Sequence, residues 1–216
     1  MNKAFFRTGV LSLLFLISAC QPKDKGYWDN GNCKFEISKS GGKMNGLAVF
    51  YYEDGNRQMQ CTYKDDKLNG KLIRYTPNGI VIYSADYQND RLYGIVTSWN
   101  DAGKKISEEN YIKDTLHGAY RQWYENGMPK VSGNYRMGIF DGEWLYYDID
   151  GKVFGKGIFK NGCGILVKKY PRGTVEREVS YTNGKRNGEE KIYTMDEKLA
   201  KVIVWQNDKK IQEKIY

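Results

Sequence analysis

One short pattern recurs along this chain with a period of 24 residues. Each copy opens with a glycine, has a second glycine nine positions later in every copy but the last, and closes with an aromatic residue seventeen positions after the opening glycine. The opening glycines are Gly46, Gly70, Gly94, Gly118, Gly142, Gly164 and Gly188. The closing aromatics are Tyr63, Tyr87, Tyr111, Tyr135, Phe159, Tyr181 and Trp205. A fixed period indicates small structural units that bury their apolar surfaces against neighbouring copies.

Each copy predicts a β-hairpin. A strand of about six residues, such as 47–52, follows the opening glycine, and a second strand ends at the closing aromatic. The turns contain Asp-Gly or Asn-Gly pairs, which accept positive φ and join twisted strands well. Short polar connections such as 64–67 then force antiparallel neighbours. The predicted fold is all-β: an elongated single-sheet antiparallel meander of about seven 24-residue hairpin repeats.

The remaining segments flank this array. Residues 26–43 resemble the second half of a copy and predict a partial capping repeat, with a loop at 38–43. The repeat array covers 44–208, and one interval, from Gly142 to Gly164, is shortened to 22 residues. The charged segment 209–216 predicts a last strand that discourages pairing with other sheet edges.

The amino terminus has the form of a secretory signal. Residues 1–19 combine a basic start with a short apolar run that ends in small residues. The segment Ile17-Ser18-Ala19-Cys20 resembles the lipobox of bacterial lipoproteins. The resemblance implies cleavage before Cys20, a lipid on Cys20, a membrane as partner, and a polar tether at 20–25; an ordinary signal with a chance cysteine is the alternative. Gln21, where Asp would resemble an inner-membrane retention signal, favours the outer membrane.

Two aromatic columns are expected to form the core. The first lies five residues after the opening glycine and comprises Tyr51, Tyr75, Trp99, Trp123, Tyr147 and Tyr193, with Lys169 in the sixth copy. The second consists of the closing aromatics. We expect the two columns to form one continuous spine whose rings cover strand glycines; a ladder for stacking a ligand is the alternative.

The fourth and fifth copies depart from the pattern. Tyr120, Tyr124, Trp144 and Tyr146 lie at positions of opposite parity from the first column, where other copies carry small or polar residues such as Ser98. Alternate residues of a strand point to opposite faces. These four residues therefore predict either a contact patch for a protein partner or additional packing.

The sequence offers no recognisable chemistry. The single histidine, His117, precedes an opening glycine where other copies have Asn or Asp, so we expect a turn residue rather than a base. No zinc-ligand spacing, nucleophile elbow or phosphate loop is present in the sequence. Basic and acidic residues are interleaved, which argues against nucleic acid. We predict no enzyme activity, cofactor or metal. We expect free thiols at Cys33, Cys61 and Cys163, with a disulfide between Cys33 and Cys61 as the alternative.

The pattern is clearest at 118–142 and 46–70, where it resembles the bacterial MORN-repeat variant. The resemblance covers about 44–208 and extends to proteins grouped as YwqK-type antitoxins of toxin–antitoxin systems, many of them lipoproteins. It implies a hairpin meander with a binding or scaffolding role. The leading interpretation is a lipid-anchored interaction module. The alternatives are an envelope-surface protein that contacts anionic lipid or glycan, an antitoxin-like or immunity-like protein, and, in another class, a hydrolase.

Overall fold

The computed structural model describes residues 22–216, and the predicted signal and Cys20 lie outside this range. The described part forms seventeen strands. They are β1 Lys23–Tyr27, β2 Cys33–Ser40, β3 Lys43–Tyr51, β4 Arg57–Lys64, β5 Lys67–Tyr75, β6 Val81–Gln88, β7 Arg91–Trp99, β8 Lys105–Ile112, β9 Thr115–Trp123, β10 Pro129–Arg136, β11 Ile139–Tyr147, β12 Val153–Lys160, β13 Cys163–Lys169, β14 Val175–Thr182, β15 Lys185–Tyr193, β16 Leu199–Gln206 and β17 Lys209–Ile215.

Every strand pairs antiparallel with the next strand along the chain. The result is one open meander, which confirms the predicted fold class. Strands β3 to β16 are the seven predicted hairpins. Over the described range, no helical segment has the length and apolarity of a membrane span.

Two kinds of turn alternate along the meander. The Asp-Gly and Asn-Gly turns have positive φ only at the glycine, as at Gly55 (φ 87°), whose N–H donates to the Tyr52 carbonyl at 3.0 Å. The turns between repeats instead have two consecutive residues with positive φ, as at Asp65 (49°) and Asp66 (66°). The two-residue turn that needs two left-handed residues thus falls at the connections between repeats, and the Asp-Gly sites form longer loops with one left-handed glycine.

The strands begin earlier than the sequence predicted. β5 starts at Lys67 and runs through Gly70, whose φ of 119° accompanies a shift in register against β4. Only glycine accepts such a conformation without strain, so the opening glycine is a bulge inside a strand rather than a strand start. The shortened interval has a direct consequence: β12 and β13 pair without a register shift, and Gly164 is not among the residues with positive φ.

Two of the predicted flanking segments differ in the structure. β1 begins at Lys23, inside the predicted tether, because it pairs with β2 along five residues. The predicted loop at 38–43 is reduced to the turn at Gly41 and Gly42, since β2 and β3 extend across the rest. At the other end, β17 forms the predicted charged edge strand and is exposed along its whole length.

One face of the sheet carries the core. We call face A the face on which each closing aromatic lies opposite the opening glycine of its own repeat, as Tyr63 lies opposite Gly46. A central row of face A runs across neighbouring strands. It comprises Ile37, Ala48, Cys61, Leu72, Ala85, Val96, Glu109, Tyr120, Gly133, Trp144, Gly157, Leu166, Val179, Glu190 and Ile203. Seven residues of this row are buried apolar side chains, including Ala48, Cys61 and Trp144.

The predicted continuous spine is wrong, because its two columns lie on opposite faces. Phe50 is on face A opposite Met59, and Tyr51 is the next residue along the same strand, so its ring points to the other face. The Tyr147 hydroxyl accordingly lies 3.3 Å from Ser132, which pairs with Leu145 on that second face. Each face therefore has its own aromatic column. Cys33, Cys61 and Cys163 are free thiols in the structure.

Candidate functional site: the aromatic cluster and the adjoining cavity

An aromatic cluster occupies face A across β9 to β14. It comprises Tyr120, Tyr135, Phe140, Trp144, Phe159 and Tyr181, with neighbouring ring centroids 4.6–5.7 Å apart. Trp144 lies at its centre, is 2% exposed, and donates its indole N–H to the Asn134 carbonyl at 3.1 Å. A Cβ on Gly133 would lie 2.2 Å from the Trp144 ring, so the glycine provides the space for the indole. An aromatic ring therefore does cover a strand glycine here, but Trp144 belongs to the central row and not to a predicted aromatic column.

The four residues of the predicted contact patch do not lie together. Tyr120, Trp144 and Tyr146 are on face A, whereas Tyr124 follows β9 in a turn and donates its hydroxyl to the Tyr147 carbonyl at 2.8 Å. Trp144 is buried, which agrees with the packing alternative for this residue. Tyr120 and Tyr146 are partly buried, and burial raises the pKa of Tyr146 to about 12. Partner contact through these two tyrosines stays a prediction.

A cavity of about 300 Å³ adjoins the cluster on face A. Its walls include Tyr146, Leu166, Val179 and Tyr181, and it forms beside Gly155, which lies opposite Tyr146 on one side and Lys168 on the other. A Cβ on Gly155 would lie 3.1 Å from the Tyr146 Cβ and 3.4 Å from its ring, so the glycine gives the Tyr146 side chain room to lie over this row. The cavity therefore opens beside the Tyr146 ring.

A buried carboxylate lies beside this cavity. Glu190 is 3% exposed and occupies a central-row position where the other repeats have apolar residues such as Leu72 and Leu166. Its carboxylate accepts the indole N–H of Trp205 at 2.7 Å and pairs with the Arg177 guanidinium at 3.3 Å. Both oxygens have partners, which offsets the cost of burying the charge.

Three cations border the same cavity: Lys168, Arg177 and Arg186. Lys168 also pairs with Glu176 at 2.9 Å, and Arg186 stacks on the Trp205 ring at 3.8 Å while pairing with Asp208 at 3.3 Å. Their side chains are between 37% and 45% accessible, so they reach solvent from the rim. Each of the three cations is paired with one carboxylate, Glu176, Glu190 or Asp208, so the cavity rim combines basic groups with their acidic partners.

The charged residues of this cavity were not predicted from the sequence. Arg177 takes a face A position where earlier repeats have residues such as Met59, Tyr83 and Val131, and Glu190 replaces an apolar residue of the central row. Charged residues at two core columns of the sixth and seventh repeats were the available signal.

The predicted turn position of His117 is wrong, because the residue lies in β9, one residue before the bulge at Gly118. The His117 Nδ1 accepts the backbone N–H of Met137 at 3.3 Å, as Asp66 accepts that of Met44 at 2.7 Å. Within residues 22–216, no group of three or more His, Cys, Asp or Glu side chains is arranged to hold a metal ion. Every buried side-chain nitrogen and oxygen in this range has a hydrogen-bond partner.

Comparison with family models identifies part of the array. Residues 44–65, 68–89 and 116–137 match the model of the MORN repeat variant. Three of the hairpin copies therefore match this model. Each match begins two residues before an opening glycine and ends just after a closing aromatic, so the MORN repeat coincides with the bulged strand, the turn and the returning strand described above. The first two matches are consecutive copies, and the third contains Tyr120 and Tyr124.

The other comparisons are less specific. No curated protein matches the chain. One solved structure that matches is the crystal structure of TcdB2-TccC3-Cdc42, at 9% identity and a TM-score of 0.25. The match covers 87% of this chain and 12% of that one, so the chain spans about an eighth of the length of the protein it matches. At this TM-score the similarity carries no argument about function.

Proposed function

We propose that this protein is a lipid-anchored, non-catalytic binding module that captures a protein partner on face A of its MORN repeat sheet. The anchor is the lipid on Cys20, and the location is the cell envelope, at the outer membrane. The partner is a protein whose apolar and aromatic side chains pack against Tyr120, Tyr146 and their neighbours. The matches to MORN repeats support a repeat-based binding or scaffolding role.

The single observation that carries the proposal is the partial exposure of an aromatic face. The described residues form one sheet without a second layer, so the tyrosines of face A are covered only by each other and by their strands. Tyr120 and Tyr135 nevertheless keep a defined arrangement, edge to face at 5.4 Å. Rigid aromatic side chains that retain accessible surface are the residues on which protein interfaces most depend.

Two measurements test the proposal. The full chain and Cys20→Ser are expressed with the native leader, and the fraction of each in membranes is measured. We expect Cys20→Ser to leave the membrane fraction. Membrane-bound chain is then cross-linked, and captured proteins are eluted in low and high salt. Contact through apolar rings resists high salt, whereas contact with anionic lipid or glycan through basic residues is screened.

The variant Tyr120→Ala tests the face itself. We expect loss of the salt-resistant partner in a chain that still unfolds cooperatively, at a lower melting temperature because the Tyr120 ring packs against Tyr135 and Trp144. Tyr93→Ala, which removes a 44% exposed tyrosine from β7, is the matched control and should retain the partner. Equal capture by wild type and Tyr120→Ala would reject face A. Salt-sensitive binding to vesicles or glycan in place of a protein would favour the envelope-surface alternative.

A further inference from the structure

The cavity beside Gly155 combines apolar walls with a basic rim. The walls are aliphatic and aromatic, from Leu166, Val179 and Tyr146, and the rim carries the three cations described above. A volume of about 300 Å³ is at the lower end of the range for small-molecule pockets. The cavity is therefore large enough for one substituted ring.

Arg177 is the cation best placed to bind a ligand. It lies directly opposite Lys168 on the neighbouring strand, and its one ion pair within residues 22–216 is the 3.3 Å contact with Glu190. A guanidinium has five N–H donors in a planar fork that matches carboxylate and phosphate oxygens. Glu190 is itself held by Trp205, so its 3.3 Å contact with Nη1 fixes the position of the Arg177 guanidinium.

The local departures from the repeat favour a binding role. If this part of face A had only a packing role, we would expect apolar side chains to fill it. The repeats that have Met59 or Val131 at the Arg177 position are of this kind. Here a buried carboxylate and its arginine replace apolar residues at adjacent core columns. Ion pairs of this kind contribute little net stability relative to well-packed apolar residues.

We propose that this cavity binds an anionic group, a carboxylate or a phosphate, attached to a ring-sized apolar body, with Arg177 as its principal contact. The apolar body lies between Tyr146 and Leu166. Lys168 and Arg186, each paired with a carboxylate, lie at the rim. Glu190 is a positioning residue that also limits affinity by its own negative charge. This inference goes beyond partner capture and requires neither partner nor membrane.

The test uses the full chain in neutral detergent with four probes: phenyl phosphate, benzoate, benzyl alcohol and inorganic phosphate. Binding is followed by titration calorimetry and by NMR. We expect saturable binding of phenyl phosphate or benzoate, with benzyl alcohol and inorganic phosphate each about tenfold weaker or more because one lacks the charge and the other the ring. The phosphate and carboxylate probes distinguish the two sources of charge. Absence of saturable binding by both, or equal binding of benzyl alcohol, overturns the proposal.

Two substitutions with opposite expected effects separate binding from structure. Arg177→Gln should weaken the better probe about tenfold or more, and Glu190→Gln should strengthen it about threefold or more because a competing negative charge is removed. Arg74→Gln makes the same substitution at an arginine of the second repeat, in the position that corresponds to Lys168, and should have no effect. If Arg177→Gln does not fold, Lys168→Gln takes its place, with several-fold weakening expected. If Arg177→Gln and Glu190→Gln both weaken binding, or if neither changes it, the inference is overturned. Partner capture through Tyr120 is tested separately.

Discussion

The hydroxyl of Tyr124 donates a 2.8 Å hydrogen bond to the backbone carbonyl of Tyr147, one repeat further along the chain. Tyr52 contacts the Tyr75 carbonyl in the same way, as Tyr170 contacts that of Tyr193, both at 2.8 Å. In the partial first repeat the indole N–H of Trp28 takes this role, with the Tyr51 carbonyl at 3.2 Å. The residue that begins each of these turns thus joins its hairpin to the next hairpin, at the ends of the strands.

This hydrogen bond predicts that the Tyr124 hydroxyl, and not only the Tyr124 ring, contributes to the stability of the fold. Tyr124→Phe keeps the ring and leaves the Tyr147 carbonyl without its side-chain donor. We expect a loss of about 0.5–1.5 kcal/mol in the free energy of unfolding, measured in urea. Tyr216→Phe removes a hydroxyl from a 62% exposed residue and serves as the control. An unchanged midpoint for Tyr124→Phe would show that water replaces the contact at no cost.

The fit of Trp144 over Gly133 predicts strong coupling between the two positions. Gly133→Ala places a methyl group where the indole lies, 2.2 Å from its ring, so we expect a loss of about 1–3 kcal/mol. In the double variant Gly133→Ala/Trp144→Leu the methyl group has room, and the combined loss should be smaller than the sum of the single losses. Strict additivity, measured by chemical denaturation, would contradict this packing.

The last turn of the array carries a removable strain. Glu197 has φ of 61° at the position where the six preceding repeats have glycine. Left-handed backbone is unfavourable for a residue with a Cβ, so Glu197→Gly should stabilise the chain by about 0.5–1 kcal/mol. The reverse change, Gly173→Glu at φ 96°, should destabilise it. Thermal melts of both variants give the signs, and a loss of stability in Glu197→Gly would show that the Glu197 side chain has an unseen role.

Buried tyrosines predict a loss of stability at alkaline pH. Burial raises the pKa of Tyr63, Tyr135 and Tyr146 to about 12, from an ordinary value of 10.0. The folded state therefore holds these protons where the unfolded chain releases them. The contribution of these tyrosines to the free energy of unfolding is fully present below about pH 10 and is lost as the pH rises towards about 12. Each tyrosine with a raised pKa makes this decline steeper.

Urea unfolding at about pH 9 and about pH 11, with tyrosinate absorbance as a second signal, measures this slope. Tyr135→Phe should make the decline shallower, because one phenol with a raised pKa is removed. Tyr27→Phe, at a 62% exposed position, is the control and should change the slope less. An identical slope in wild type and Tyr135→Phe would contradict the assigned direction.

The period of 24 residues was enough to predict the strands, their antiparallel order and the number of hairpins, because these features depend on local turns and neighbouring contacts. The turn types were harder to predict. Asp65 and Asp66 adopt left-handed backbone without a glycine, and Asp66 is stabilised there by a 2.7 Å contact with the Met44 N–H from the preceding repeat. A contact between residues of different strands cannot be predicted from the sequence of the turn alone.

The candidate site divides in the same way. The unusual aromatics at Tyr120, Trp144 and Tyr146 were visible as departures from the repeat, but their exposure was not. Whether Trp144 faces a partner or fills a gap depends on Gly133 in the adjacent strand. The cavity beside Gly155 requires side chains from β11 to β15, and no spacing in the sequence shows that Lys168, Arg177 and Glu190 meet.

The sequence by itself determined the architecture, since a repeated unit with short turns leaves one way to pair each strand. The tertiary structure decided the faces. A bulge at every opening glycine except Gly164 and another beside each turn set which side chains lie together, and these bulges are defined by pairing between strands. Parity along one strand could therefore not assign the two aromatic columns to a common face, and the charged cavity exists only once five strands are in register.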